Sequence, residues 1–273
     1  MKKVGVTGST GFIGQRYFES NPNQVQLVPL PLREGLQLLP LTGLDALVHL
    51  AGKAHVTAHP HDPSYFKINT ELTLKLAQKA KEKKVRHFIY MSSVKAESND
   101  IYGQSKRKAE EGLLEMASPE FKVALIRPPL VYGPNVKANM LYLMRLCQRP
   151  IPLPFKGIHN ARSMVFVDTL LSLVSTIIDQ EAEGLFIAGD PHPLSTEFLV
   201  KEIRKNLHMP ERLFSLPSIL THLIKLLKPG LYDRLFGSYI IDNQPSNQAL
   251  HFTPPFSSEH GIKEMVEWFK KLS

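Results

Sequence analysis

The chain has 273 residues, 43% of them hydrophobic and 21% charged, with a single cysteine, Cys147. That length suits one large domain or a domain with a small second lobe, and the composition excludes a disordered or fibrous chain. One thiol excludes an internal disulfide and any cysteine-based zinc cluster and fits a reducing, cytoplasmic setting, and no stretch approaches the roughly 18–20 apolar residues that span a bilayer. The formal net charge of +8 favours an anionic ligand. With no zinc motif and no aromatic-interleaved basic patch behind it, that charge does not argue for nucleic-acid binding.

The opening residues read as a strand around Val4 and Val6, broken at once by glycine and threonine as an export segment would not be. Gly8-Ser9-Thr10-Gly11-Phe12-Ile13-Gly14 then opens a helix that runs to about Ser20 and ends at Pro22. Val25–Leu30 is a second strand and Asp45–Leu50 a third, closed by Ala51-Gly52, with a compressed span between them that lacks a helix of normal length. Ile68, Leu72, Leu76 and Ala80 give one buried face to a long helix over Pro63–Lys84. Val85–Met91 is the fourth strand, Ile101–Ala117 a helix, and Phe121–Ile126 the fifth strand. This alternation predicts an α/β fold, a Rossmann-type doubly wound parallel sheet with helices on both faces. Such sheets bind ligands at the carboxyl ends of their strands, where Gly8, Ala51, Ser93 and Arg127 fall.

After Arg127 proline becomes dense and the elements shorten. Met164–Val167 and Leu185–Ala188 are expected to return to the sheet, with helices near Asp168–Ile178 and Thr196–Leu207. The expected division is a dinucleotide-binding domain of residues 1–170 with returning segments 184–208, and a small substrate lobe from about 134–163 and 209–273. Within that lobe Leu216–Leu227 reads as an amphipathic helix packing its apolar face inward, the alternative being attachment to a membrane surface.

Three constellations carry chemistry. Gly8-x-x-Gly11-x-x-Gly14, between a strand and a helix, lets the backbone turn tightly and bring a helix N-terminus to a pyrophosphate, although a plain tight turn would use the same residues. Tyr102 and Lys106 stand four apart on one helix face, so an ammonium beside the phenol would lower its pKa and poise it for proton transfer; a surface Tyr and Lys would share that spacing. Ser92-Ser93 ends the fourth strand, where a hydroxyl can bond a reacting oxygen or simply shape the turn. His49, His55, His59 and His61 cluster near the third strand but read as loop or cleft residues, and no metal is expected.

Thr7–Gly14, Leu50-Ala51-Gly52, Asn69, Ser92-Ser93, Tyr102-x-x-x-Lys106 and the run from Arg127 to Pro134 (RPPLVYGP) occur in an order that resembles an extended short-chain dehydrogenase/reductase of the NAD-dependent epimerase/dehydratase family. The similarity covers essentially the whole chain. "SSVKA", "RPPLVYGPNVKANM" and "ARSMVFVDTL" are similar to a nucleotide-sugar subgroup related to UDP-glucose 4-epimerases, which includes reductases of UDP-4-keto-6-deoxy-N-acetylhexosamines. The resemblance implies Tyr102 as acid/base, Lys106 as its partner and a ligand of the nicotinamide ribose, and Ser93 as the catalytic hydroxyl. It further implies that Gly8, Thr10, Gly11, Phe12, Ile13, Gly14, Leu50, Ala51, Gly52 and Asn69 line the cofactor, with Pro129 and Val131 near its carboxamide. Arg162 and Arg234, with Tyr239, would meet UDP phosphates, and Lys137 and Asn139 would meet substrate. A homodimer would form through the two helices that flank the site, Pro63–Lys84 and Ile101–Ala117.

Three departures from the family pattern stand out. Tyr102 follows Ser93 by only nine positions, the span between the second and third strands is short, and Pro31-Leu32-Arg33-Glu34 replaces the usual acidic residue after the second strand. Arg33 tilts the cofactor choice from NAD toward NADP, since an arginine there can accept a 2′-phosphate. Ser93 is followed by Val94-Lys95 and not by carboxylates, so dehydration is discarded. Reduction of a 4-keto sugar for surface polysaccharide synthesis is the favoured reaction. 4-Epimerisation with tightly held NAD is the alternative, and a catalytically weak dinucleotide sensor a second one.

Overall fold

The computed structural model describes residues 1–22, 24–54 and 62–272. In chain order the strands and helices are β1 (Lys3–Thr7), α1 (Phe12–Ser20), β2 (Gln26–Leu30), β3 (Ala46–His49), α2 (Leu72–Glu82), β4 (His87–Met91), α3 (Ile101–Met116), β5 (Lys122–Arg127), β6 (Leu130–Tyr132), α4 (Ala138–Cys147), β7 (Met164–Phe166), α5 (Val167–Gln180), β8 (Gly184–Ile187), α6 (Thr196–Asn206), α7 (Ser218–Leu227), α8 (Pro229–Phe236), α9 (Gln244–Ala249) and α10 (Ser258–Lys270). The short span between β2 and β3 holds two 3₁₀ turns, Leu32–Glu34 and Leu36–Leu38, in place of a helix. The long helix predicted before Lys84 begins with a π-helical turn, Phe66–Glu71, that runs directly into α2.

The chain divides into two compact units: Met1–Pro129 with Leu170–Ala188 and Asn243–Thr253, and Leu130–Thr169 with Gly189–Asp242 and Pro254–Ser273. The first is a six-stranded parallel sheet in the order β2-β1-β3-β4-β5-β8. Val4, Val6, Leu47, Val48, Phe88, Ile89, Ala124 and Ile126 are essentially inaccessible. That is the mark of strands covered on both faces, and each of these Val, Leu, Ile and Phe side chains contributes about 1.5–3 kcal/mol through burial.

The second unit departs from expectation in three ways. Met164–Phe166 does not rejoin the main sheet; β7 pairs in parallel with β6, Met164 beside Leu130 and Phe166 beside Tyr132. Pro128 and Pro129, which offer no N–H to a ladder, end β5 and release the chain to a separate two-stranded sheet. The division also falls elsewhere than expected: α6 packs on α10 and α4 within the second unit. Conversely α9 belongs to the first, where Ser246 Oγ accepts from Ile187 N at 2.8 Å. Finally, α7 buries none of its side chains. It packs chiefly on the short α8, which is too small to cover an apolar stripe.

A carboxylate organises the interior of this unit. Asp190 accepts from Tyr132 Oη at 2.6 Å, from Phe166 N at 2.9 Å and from Ser258 Oγ at 3.2 Å. The bonds oppose, but do not cancel, the rise in its pKa that burial causes.

An imidazole plays the matching part in the first unit. His49, fully buried at the end of β3, bonds Thr7 Oγ1 through Nδ1 at 2.6 Å and Thr73 Oγ1 through Nε2 at 3.0 Å. Its ring stacks on Tyr90 at 5.7 Å. Burial, reinforced by the nearby Lys106, lowers its pKa from 6.5 to about 3. Below its ordinary pKa the unfolded chain binds a proton that the folded chain refuses, so the unfolded state gains and stability falls as pH drops from about 6.5 toward 3. Urea midpoints measured at about pH 7 and about pH 4.5 will show this loss, and a His49→Gln variant will lose distinctly less between the same two conditions.

Candidate active site

At the end of β1 the chain turns through Gly8, whose φ of 71° lies in the left-handed region. A Cβ on Gly8 would stand 2.8 Å from Ala51 N, and one on Gly14 only 2.1 Å from the Gly8 carbonyl oxygen. Backbone therefore presses on backbone here, and only glycine fits. Gly11 caps α1 without any side-chain hydrogen bond to its first N–H groups. Thr10, Phe12 and Ile13 complete the turn. A tight glycine cradle opening onto an uncapped helix N-terminus suits a pyrophosphate.

The exit of β3, Leu50-Ala51-Gly52, is tied to this turn by Ala51 N donating to Thr7 Oγ1 at 3.2 Å. Asn69 lies in the π-helical turn, a widening that often marks a functional position. Its amide accepts from Lys53 N at 2.8 Å and donates to Lys53 O at 3.1 Å and Ser105 Oγ at 3.2 Å, joining the β3 exit to α3. Seen from Gly52, the position of an added Cβ lies 3.1 Å from Asn69 Oδ1 and 3.4 Å from Lys106 Nζ. Lys53 itself forms an ion pair with Asp62 and sits 5.2 Å over the ring of Tyr65, whose edge meets Tyr102 at 5.6 Å.

Asp100 caps α3 by accepting from Gly103 N at 2.7 Å, which starts the helix so that Tyr102 and Lys106 both turn inward. Ser93 caps the 3₁₀ turn Val94–Glu97, accepting from Lys95 N at 3.2 Å, and its hydroxyl is hydrogen-bonded to the Tyr102 phenol. Thus Ser93, Tyr102, Lys106, Asn69 and Gly52 belong to one neighbourhood at the carboxyl ends of β3 and β4.

The electrostatics differ from the sequence expectation. The Tyr102 phenol is not lowered but pushed up to about 12, mainly by burial, with the Ser93 bond pulling the other way and Asp100 and Tyr65 adding to the rise. The Lys106 ammonium donates to Met91 O at 2.9 Å and lies 4.7 Å over the Tyr90 ring, instead of acting on the phenol. Burial lowers its pKa to about 8, against the opposing charge of Glu110. Spacing put both groups on one face, but their withdrawal from water outweighs their mutual influence. At neutral pH the site thus presents a protonated phenol, which is a proton donor, beside a buried cation.

Sequence reasoning missed the group that balances this cation. Glu110 continues the four-residue spacing of Tyr102 and Lys106 and is 3% exposed, a rare setting for a carboxylate. It accepts from Ser92 Oγ, and from Arg127 through Nη2 at 2.6 Å and Nε at 3.0 Å; Arg127 Nη1 also reaches Glu97 Oε1 at 3.0 Å. This two-toothed pair links α3, the end of β5 and the serine pair after β4. The spacing alone could have flagged Glu110.

The other predicted residues fall as follows. Arg33 is exposed in the 3₁₀ turn after β2, the strand beside β1. Pro129 is buried at the end of a first-unit segment. Val131, Lys137, Asn139, Arg162, Arg234 and Tyr239 belong to the second unit. Val131 is half-buried in β6, while Lys137 and Asn139 are exposed at the start of α4. The half-buried Arg162 donates through Nη1 to Asp233 O at 2.8 Å and Gly237 O at 3.2 Å, and its backbone bridges to the partly exposed Tyr239. Arg234 lies in α8, and its side chain is outside what the structure describes, as are His55, His59 and His61.

Residues 4–186 match the model of the NAD dependent epimerase/dehydratase family. The chain is similar to a UDP-glucose 4-epimerase of Vibrio cholerae, at 33% identity over 98% of this chain and 95% of that protein. It is also similar to a UDP-2-acetamido-2,6-beta-L-arabino-hexul-4-ose reductase of Pseudomonas aeruginosa, at 29% identity over 65% of this chain and 50% of that protein. Among solved structures, RMD from Pseudomonas aeruginosa complexed with NADPH has the same fold, with a TM-score of 0.80 at 17% identity over 100% of both chains.

Removing Glu110 leaves Nε and Nη2 of the largely buried Arg127, which keeps Glu97, and the Ser92 hydroxyl without their acceptor. Glu110→Ala will therefore lower stability by about 3–5 kcal/mol, read from the denaturant midpoint. Glu110→Gln, which keeps an acceptor for both partners, will lose clearly less.

Proposed function

The chain belongs to the NAD dependent epimerase/dehydratase family, and from that premise we propose that it reduces the 4-keto group of a UDP-linked 6-deoxyhexosamine, a step serving surface polysaccharide synthesis. It is an NAD(P)-dependent sugar-nucleotide enzyme. The observation that carries the finer reading is the buried, protonated Tyr102 phenol bonded to Ser93, four residues before Lys106 on one helix and with Val94-Lys95, not carboxylates, directly after Ser93.

The cradle of Gly8, Gly11 and Gly14 fits a dinucleotide, because its close backbone contacts leave the first turn of α1 open to phosphate. Thr10, Phe12 and Ile13 would support it there. Leu50, Ala51, Gly52 and Asn69 would line its path, Lys106 would bond its ribose, and Pro129 and Val131 would border its carboxamide. Arg33, exposed in the turn after β2 and followed by Glu34, favours a 2′-phosphate, hence NADPH. When bound, the nicotinamide supplies the reducing equivalent.

The chain's own groups then manage the oxygen. Ser93 Oγ donates to the sugar O4 and orients it. Tyr102 Oη passes its proton to O4 as negative charge develops there, and the Lys106 charge offsets the phenolate left behind. Arg162, Arg234 and Tyr239, with Lys137 and Asn139, are assigned to the UDP and sugar; guanidinium groups match phosphate geometry.

A second reading, 4-epimerisation of a UDP-sugar, is favoured by the full-length similarity to the Vibrio cholerae epimerase. It would keep NAD bound through each cycle.

Purified protein given a UDP-4-keto-6-deoxyhexosamine will consume NADPH, followed by loss of nicotinamide absorbance. Interconversion of UDP-sugars on retained NAD with no reductant consumed would establish the epimerase instead. Tyr102→Phe will lose about 10²–10⁴-fold in kcat while its dinucleotide affinity stays unchanged; an unaltered rate would retire Tyr102 as the catalytic acid. Arg33→Ala will raise KM for NADPH about tenfold and leave KM for NADH in place, as expected for loss of one phosphate contact.

A further inference from the structure

The second unit carries an apolar face that is largely exposed. On α7, Ile219 is 80% exposed, Leu226 78%, Leu227 67%, Leu223 47% and Leu220 44%. Their spacing of i, i+1, i+4, i+7 and i+8 places them in a single stripe about a third of the way around the helix, while Ile224 turns toward the protein. Leu231 of α8, 39% exposed, extends the patch. Isolated surface leucines need no explanation, but five large aliphatic side chains exposed along one ten-residue helix do.

The polar residues of α7 itself are neutral or basic. α7 contains no aspartate or glutamate; His222 borders the stripe, Lys225 stands on the opposite, polar side of the helix and Lys228 follows its last turn. Lys225 Nζ lies 5.5 Å over the Tyr232 ring of α8, which holds its charge on the side of α7 away from the stripe. We propose that α7 is an interfacial anchor that lays this protein on an anionic lipid bilayer, leucines in the headgroup boundary and lysines among the phosphates.

Length and charge both select this occupant. At 1.5 Å per residue a ten-residue helix is about 15 Å long, half the hydrocarbon core, so it lies in the membrane plane and does not cross it. Among the described residues no helix is long and apolar enough to cross a membrane. Lys225, on the polar side of α7, and Lys228, at its end, are placed where an interfacial helix carries its cations. Anionic headgroups meet those charges with the opposite sign, and the chain's net charge of +8 adds to the attraction.

The test is cosedimentation of the full-length protein with vesicles of phosphatidylcholine alone or with about one third phosphatidylglycerol. Binding is expected only with the anionic vesicles, weakening as salt is raised. Leu226→Glu with Leu227→Glu will reduce it about tenfold or more, and so will Lys225→Glu with Lys228→Glu. Thermal melting of each double variant reports folding independently of any activity, and either well-folded variant suffices for the comparison. The proposal is overturned by absence of vesicle binding, by binding that both variants retain, or by a dimer in sedimentation equilibrium that the leucine variant dissolves.

Discussion

Thr7, His49 and Tyr90 stand at one level of three neighbouring parallel strands, since the register pairs Thr7 with His49 and His49 with Tyr90. The imidazole between them bonds a hydroxyl on each side, Thr7 from β1 and Thr73 from α2. These bonds serve a neutral ring, and the neighbouring ammonium of Lys106 adds to the cost of charging it. With the strand ends held level, the glycine turn after β1, Ala51-Gly52 after β3 and the serine pair after β4 all leave the sheet from the same edge. Every proposed role in the first unit depends on that alignment.

Burial then decides which proton-transfer group is which. Withdrawal from water raises the phenol of Tyr102 and lowers the ammonium of Lys106, the opposite of what an exposed, mutually stabilising pair would do. Ser93 moderates the first shift and Glu110 the second. Glu110 in turn is satisfied by Ser92 and by both teeth of Arg127, so the charges under the site form a closed set. A protonated phenol resting on such a set can give a proton to an oxygen that gains charge, the step that the proposed ketone reduction requires.

The second unit follows a different logic. Its interior is organised by one buried carboxylate, Asp190, that collects donors from β6, β7 and the start of α10. Arg162 is anchored to backbone carbonyls near the end of α8, so its guanidinium is oriented by the helix it helps to terminate. The same short α8 leaves α7 largely uncovered, and an amphipathic stripe that would serve as core in a thicker lobe becomes surface.

Local signals in the sequence determined the alternating strands and helices, the glycine turn, the parallel sheet and the Ser93, Tyr102 and Lys106 trio, because strand patterning, helix caps and four-residue spacing act over a few positions. Membership of the sheet was not local. Met164–Phe166 has the pattern of any buried strand, and only the loss of donors at Pro128 and Pro129 sent its partner β6 out of the main ladder. The direction of the Tyr102 and Lys106 shifts and the burial of Glu110 against Arg127 depend on how much water the surrounding chain excludes. The outward face of α7 was hidden for the same reason: a helical moment says which side is apolar, and only the neighbours that pack on it say whether that side meets protein or solvent.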